Sequence, residues 1–149
     1  MSDFPTKARV VIIGGGVIGA SSLYHLAKKG WTDCVLLEKN ELTAGSTWHA
    51  AGNVPTFSTS WSIMNMQRYS TELYARLGEE VDYPMNYHQT GSIRLAHTKE
   101  RMQEFERACS MGRYQGIEME IWAPEQAKEH YPFLETHDLE GVLWDPSDG

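Results

Sequence analysis

The sequence predicts an α/β fold that opens with a parallel sheet and continues into a mixed α+β region. Residues 10–13 are four consecutive β-branched residues without polar alternation, a pattern typical of a strand buried on both faces of a parallel sheet. A helical pattern and a second apolar run, residues 33–37, follow directly. Beyond residue 52 the strand patterns alternate between apolar and polar residues, so we expect one region over 1–52 and another over 53–149.

The first turn contains three glycines in the spacing G-x-G-x-x-G, at Gly14, Gly16 and Gly19. Gly14 permits a tight turn after the strand, Gly16 leaves room for a pyrophosphate, and Gly19 lets the next helix pack closely. Val17 and Ile18 open that helix, which is expected to end at Gly30. Its free N–H groups would face the phosphates, so this region is predicted to be a Rossmann-like dinucleotide-binding domain.

An acidic residue ends the second predicted strand. Glu38 follows the apolar run DCVLL and lies nineteen positions after Gly19. A carboxylate there can accept hydrogen bonds from an adenosine ribose, and its charge would repel a 2′-phosphate. The sequence therefore favours FAD or NAD over NADP. A glycine-rich junction without a ligand is the alternative, and it leaves the matching strand, helix and acid unexplained.

Residues 40–52, NELTAGSTWHAAG, consist largely of small and polar residues. This composition suits backbone that lies close against a ligand, although a plain surface loop is the alternative. Ser46 and Thr47 are expected to cap a short helix whose N–H groups point toward a pyrophosphate.

The second region is expected to alternate helices and strands. A helix is predicted over 60–80, capped by Ser60, with Ile63, Met66 and Leu73 on its buried face. Strands are predicted over 87–97, 118–122 and 140–144. A helix over 99–115 capped by Thr98 and a short one over 124–130 lie between them. A doubly wound sheet needs more than the two parallel strands visible here, so the chain is expected to be the front part of a larger protein.

Composition and cysteine spacing argue against several classes of partner and site. The formal net charge is −7, which argues against nucleic acid or an anionic membrane as the main partner. Cys34 and Cys109 have no metal-ligand spacing and are expected to be reduced thiols, and no metal site is predicted. No targeting segment is visible, so a cytoplasmic location is expected.

Three stretches carry a family resemblance: EKNELTAGSTWHAAG at 38–52, HQTGSIRLA at 88–96 and EGVLWDPSDG at 140–149. The chain resembles the N-terminal part of the dimethylglycine dehydrogenase and sarcosine dehydrogenase family of D-amino-acid-oxidase-like flavoproteins. The resemblance implies an FAD-binding domain followed by the start of a substrate domain with a mixed sheet. It also implies that His49 carries FAD covalently through the 8α-methyl group of the flavin.

The resemblance further implies a set of cofactor-binding positions. Pyrophosphate would bind at the three glycines of the turn, the ribose at Glu38, and the adenine near Lys39. The segment from Gly45 to Gly52 would run past the pyrophosphate toward the flavin. The complete expected set is Gly14, Gly16, Val17, Ile18, Gly19, Glu38, Lys39, Gly45, Ser46, Thr47, His49, Ala50 and Gly52.

The implied activity is FAD-dependent oxidation of the N-methyl group of a small N-methylated amino acid, of the dimethylglycine or sarcosine type. The electron acceptor would be oxygen or an electron-transfer flavoprotein, and tetrahydrofolate would take the one-carbon unit in a C-terminal region. No residue of this chain is assigned to catalysis. The alternatives are a non-catalytic regulatory paralogue, an inactive N-terminal fragment and an NAD-dependent dehydrogenase.

Overall fold

The computed structural model describes residues 5–149, which form two compact units. The first unit ends at Gly52 and the second spans Asn53–Gly149. The first four residues, which belong to the region predicted over 1–52, lie outside the described residues.

The first unit contains two parallel strands joined by a helix. Strand β1 (Val10–Ile13) is followed by helix α1 (Val17–Lys28) and strand β2 (Cys34–Leu37), and a 3-10 helix covers Ser46–His49. The strands pair in parallel, with Ile12 opposite Leu36. Gly30 has a φ of +81° and ends the helical segment, as glycine can do without strain. The predicted α/β fold with a parallel sheet is confirmed.

Burial of β1 on both faces is not what the structure shows. Val11 and Ile13 are 52% and 88% exposed, whereas Val10 and Ile12 are half-buried. The difference arises because α1 packs against the sheet on one side, and no other element of the described part of this unit covers the opposite side. The apolar run was correctly predicted to be a strand, but only one face of that strand is partly buried, not both.

The second unit contains three helices and a three-stranded sheet. Its elements are α2 (Trp61–Glu80), β3 (Ser92–Ala96), α3 (Lys99–Tyr114), β4 (Glu120–Trp122), α4 (Pro124–His130) and β5 (Gly141–Asp145). The strand order is β3-β5-β4, and both pairings are antiparallel. The described sheet of this unit is therefore antiparallel throughout, not mixed in strand direction.

Helix α3 lies on this sheet as its sequence pattern predicts. The Thr98 hydroxyl accepts a hydrogen bond from the Arg101 N–H at 3.2 Å and so caps the helix. Phe105, Ala108 and Cys109 are buried in the main apolar cluster together with residues of the sheet. No helix among residues 5–149 is long and apolar enough to cross a bilayer.

The buried face of α2 is the predicted one at Leu73 but not in the N-terminal half of the helix. There Ile63 and Met66 are 45% and 62% exposed and Met64 is buried instead, and Thr71 is also buried. Apolar residues occur on more than one side of this helix, so periodicity alone did not determine which side faces the core. Ser60 is the N-cap residue, but its side chain makes no capping hydrogen bond.

The two ends of the second unit are held together by hydrogen bonds. Val54 and Gly149 exchange two backbone hydrogen bonds, at 2.7 and 3.1 Å. The buried Asp148 carboxylate accepts from the Thr56 N–H and from the Ser92 hydroxyl, both at 2.6 Å. These bonds place the segment that enters the unit beside the segment that ends it.

Candidate dinucleotide-binding site

The glycine turn of the first unit closes tightly on strand β2. Gly14 has a φ of +109°, which other residues rarely adopt, and its N–H donates to the Leu37 carbonyl at 2.8 Å. A Cβ atom on Gly19 would press against the Gly14 carbonyl oxygen and lie 3.4 Å from Ile12 Cγ2. Helix α1 can therefore approach the turn and strand this closely only because position 19 has no side chain.

The N-terminus of α1 carries no compensating negative charge of its own. The N-cap residue is Gly16, which has no side chain to accept a hydrogen bond, and the first turn contains no acidic residue. The Val17 N–H donates to the Thr47 hydroxyl at 2.9 Å. Ile18 is largely exposed beside it. The positive end of the helix dipole is thus available to an anionic group.

Glu38 is fixed by two backbone hydrogen bonds. Its Oε2 accepts from the Gly15 N–H at 2.7 Å and its Oε1 from the Asn40 N–H at 2.9 Å. These bonds, the Gly15 bond first, hold the pKa of the Glu38 carboxyl below its usual value, because both favour the charged form. Each carboxylate oxygen has more than one lone pair, so the group can still accept hydrogen bonds from ribose hydroxyls.

The residues that attach the following loop to the turn follow no recognisable sequence motif. The Thr43 N–H donates to the Gly15 carbonyl at 3.0 Å, and the Thr43 carbonyl accepts from the Trp48 N–H at 3.3 Å. A Cβ on Gly15 would meet Leu42 Cδ2 at 2.5 Å. Gly15 therefore leaves room for Leu42 and Glu38, and its N–H binds the Glu38 carboxylate; it is the middle glycine of the GGG run and lies outside the G-x-G-x-x-G positions.

The short helix at 46–49 exists, but its predicted caps do not cap it. Gly45 is the N-cap residue of the 3-10 helix, and Ser46 and Thr47 are its first two residues. The Thr47 hydroxyl is directed to α1 instead. The N-cap residue lies one position before the helix, so the prediction was displaced by one residue for Ser46 and by two for Thr47.

The imidazole of His49 is exposed and held by one hydrogen bond. Its Nδ1 lies 3.0 Å from the Gly45 carbonyl oxygen. A carbonyl can only accept, so Nδ1 donates in this contact, and in the neutral ring Nε2 then has the lone pair. The indole of Trp48 packs beside the imidazole with ring centroids 4.9 Å apart. This tautomer makes Nε2 the nucleophilic nitrogen of the ring.

The remaining predicted positions flank these groups. Lys39 follows Glu38 just beyond the end of β2 and is exposed. Ala50 is the C-cap residue of the 3-10 helix, and its N–H donates to the Thr47 carbonyl at 3.2 Å. Gly52 has a φ of +86° and is the last residue of the unit. Among residues 5–149 there is no group of three or more His, Cys, Asp or Glu side chains able to hold a metal ion.

Comparison with known proteins identifies similar sequences over nearly the whole chain. Residues 9–149 match the family described as FAD dependent oxidoreductase (DAO). Rat mitochondrial dimethylglycine dehydrogenase is 44% identical over 147 residues, which is 99% of this chain and 17% of the relative. Human mitochondrial sarcosine dehydrogenase is 37% identical over 97% of this chain and 16% of the relative. The mouse pyruvate dehydrogenase phosphatase regulatory subunit is 43% identical over 97% of this chain and 16% of the relative.

Among solved structures, L-proline dehydrogenase from P. horikoshii superposes with a TM-score of 0.88 at 28% identity. That match covers 98% of this chain and 38% of the other. The chain spans about one sixth of the length of the curated relatives it matches.

Proposed function

The chain belongs to the DAO family of FAD-dependent oxidoreductases, and from this membership we propose that its first unit binds FAD for the oxidation of a small N-methylated amino acid. The relatives named for dimethylglycine and sarcosine support this class of substrate. The observation that carries the proposal is the arrangement around the glycine turn, where the open end of α1 and the Glu38 carboxylate flank the same loop.

The residues present fit a dinucleotide. The turn at Gly14, Gly16 and Gly19 brings backbone close to the N-terminus of α1, which suits a pyrophosphate. Glu38, charged over the physiological range, would accept from the adenosine ribose, and Lys39 would lie near the adenine. The small residues from Gly45 to Gly52 would pass the pyrophosphate toward the flavin.

His49 is proposed as the point of covalent attachment. Its Nδ1–H is engaged with the Gly45 carbonyl, so the exposed Nε2 is free to bond to the 8α carbon. The Gly45 carbonyl would also stabilise the positive charge that develops on the ring while that bond forms. When bound, FAD would supply the acceptor for a hydride equivalent from the N-methyl carbon.

The oxidised substrate would yield formaldehyde or pass a methylene unit to tetrahydrofolate, and oxygen or an electron-transfer flavoprotein would take the electrons. The family match supports FAD over the NAD-dependent alternative. A regulatory, non-catalytic role is the second candidate, because the mouse phosphatase regulatory subunit is 43% identical, against 44% for the rat dimethylglycine dehydrogenase and 37% for the human sarcosine dehydrogenase. The presence of His49 favours the oxidoreductase, since a purely regulatory protein needs no flavin tether.

The test is acid denaturation of the full-length protein, followed by absorbance of the precipitated polypeptide. We expect yellow protein in the wild type and colourless protein after His49→Ala. His88→Ala removes another exposed imidazole, in the second unit, and should leave the flavin attached. Flavin that persists on the His49→Ala polypeptide would refute the tether, and a full-length protein that never binds FAD would favour the regulatory role.

A further inference from the structure

Thr47 joins two parts of the first unit that lie far apart in sequence. Its hydroxyl accepts the N–H of Val17, the first residue of α1, across thirty positions of chain. A Cβ on Gly16 would lie 2.9 Å from the same hydroxyl oxygen, so that oxygen sits directly against the glycine turn. The contact places the 3-10 helix at the N-terminus of α1.

This contact is close to His49 along the chain. Thr47 and His49 belong to the same single turn of 3-10 helix, and Ala50 continues it through its bond to the Thr47 carbonyl. The other described hydrogen bond from this loop to the glycine turn is made by Thr43, four residues earlier. Of these two hydrogen bonds, the one made by Thr47 is therefore nearer to His49 along the chain.

We propose that Thr47 is a positioning residue for flavin attachment, whose hydroxyl sets the place of His49 Nε2 relative to the helix end that holds the pyrophosphate. The inference rests on the proposed covalent link. A cofactor anchored by its phosphates presents its ring at a fixed distance, so the nucleophile must be anchored to the same point. Reactions between held groups lose rate steeply when one of them is displaced by about 1 Å.

The attachment step balances with dioxygen as oxidant. The Nε2–C8α bond forms while one C–H bond of the methyl group breaks, and the Nδ1 proton leaves the alkylated ring. The two electrons released reduce the flavin and then pass to dioxygen, which takes up two protons to become hydrogen peroxide. Thr47 exchanges no proton or electron in this scheme and acts only through the position of His49.

The experiment compares Thr47→Val, which keeps the side-chain shape without the hydroxyl, with Thr47→Ser, which keeps the hydroxyl. Ser22→Ala is the matched control, since it removes a different hydroxyl hydrogen bond from α1, to the Ile18 carbonyl. Full-length apoprotein is incubated with FAD in air, and acid-stable flavin is measured over time. Hydrogen exchange of the peptide containing Val17 is measured on the same apoproteins, and FAD affinity is measured in a His49→Ala background.

We expect covalent incorporation to slow by about tenfold or more in Thr47→Val and to stay near the wild-type rate in Thr47→Ser and Ser22→Ala. The Val17 amide should exchange faster only in Thr47→Val. FAD affinity in the His49→Ala background gives the FAD concentration that saturates each variant, so the incorporation rates are compared at equal occupancy. If Thr47→Val does not fold, Thr47→Ala replaces it with the same expectations.

Equal incorporation rates in wild type and Thr47→Val would overturn the inference while leaving the tether intact. A rate difference that disappears once both proteins are saturated with FAD would also overturn it, because Thr47 would then act through FAD binding alone. Absence of acid-stable flavin from the wild type would instead refute the tether itself, and with it any role for Thr47 in attachment.

Discussion

Replacing Gly19 by alanine tests whether the close approach of α1 to the glycine turn is required. The new Cβ would press on the Gly14 carbonyl oxygen and lie 3.1 Å from the Gly14 carbonyl carbon, so backbone and not a flexible side chain must move. Overpacking of this kind costs up to about 3 kcal/mol. The better helix propensity of alanine returns about 1 kcal/mol. We therefore expect a net loss of about 2 kcal/mol in the stability of the first unit.

The matched control is Gly112→Ala in α3, another helical glycine. There the added Cβ would meet the terminal methyl of Met119, which can rotate away, and the Ile117 carbonyl oxygen at 3.2 Å. The cost should be small enough for helix propensity to offset it, so stability should stay within about 1 kcal/mol of wild type.

Hydrogen exchange measured by mass spectrometry at increasing urea concentration reports the unfolding free energy of each unit separately. Peptides from β1 and α1 are followed for Gly19→Ala, and peptides from α3 for Gly112→Ala. Wild-type protection in Gly19→Ala would refute the argument from close approach. If Gly112→Ala lowered the unfolding free energy as much as Gly19→Ala, the destabilisation would not depend on whether the atom that meets the new Cβ is rigid backbone or a flexible side chain.

Three further predictions concern buried or fixed carboxylates. The pKa of the Glu38 carboxyl is lower in the folded protein than in the unfolded chain. Its hydrogen bonds therefore contribute stability at a pH above the unfolded-state pKa, and this contribution is lost as the pH falls through the folded-state pKa. Glu38→Gln should make the unfolding free energy depend less steeply on pH in this acidic range. Asp145 is 1% exposed, and burial raises the pKa of its carboxyl in the folded protein. The free energy of unfolding of the wild type should therefore fall as the pH rises from about 4, the unfolded-state pKa, through the higher folded-state pKa. Asp145→Asn should remove that fall, and an unchanged pH slope would contradict the assignment. Asp148→Ala removes the acceptor of two short hydrogen bonds and should destabilise the second unit by about 3 kcal/mol in urea denaturation, whereas a loss below about 1 kcal/mol would show that water replaces the carboxylate.

The elements that could be predicted depend on local patterns. The spacing of Gly14, Gly16 and Gly19 after an apolar strand predicts the turn and α1, because strand, turn and helix are consecutive in the chain. Gly30 and Thr98 were also identified correctly as the ends of helices, since capping depends on residues within one turn.

What could not be predicted depends on contacts between distant segments. The bond between Val17 and Thr47 spans thirty residues and that between Thr56 and Asp148 spans 92, and neither follows from a residue pattern. Gly15 carries no side chain from which a role could be inferred, yet its N–H fixes Glu38. Periodicity identified α2 as a helix and placed Leu73 inward correctly, but it did so wrongly for Ile63 and Met66, because the buried face depends on which neighbours the helix packs against.

The reciprocal pairing of Val54 with Gly149 has a practical consequence for any shortened form of the chain. A chain cut before Asp148 would lose both of these backbone bonds and the carboxylate that accepts from Thr56 and Ser92. The Val54 and Thr56 amides are then expected to exchange faster with solvent, although the cut lies about ninety residues away in sequence.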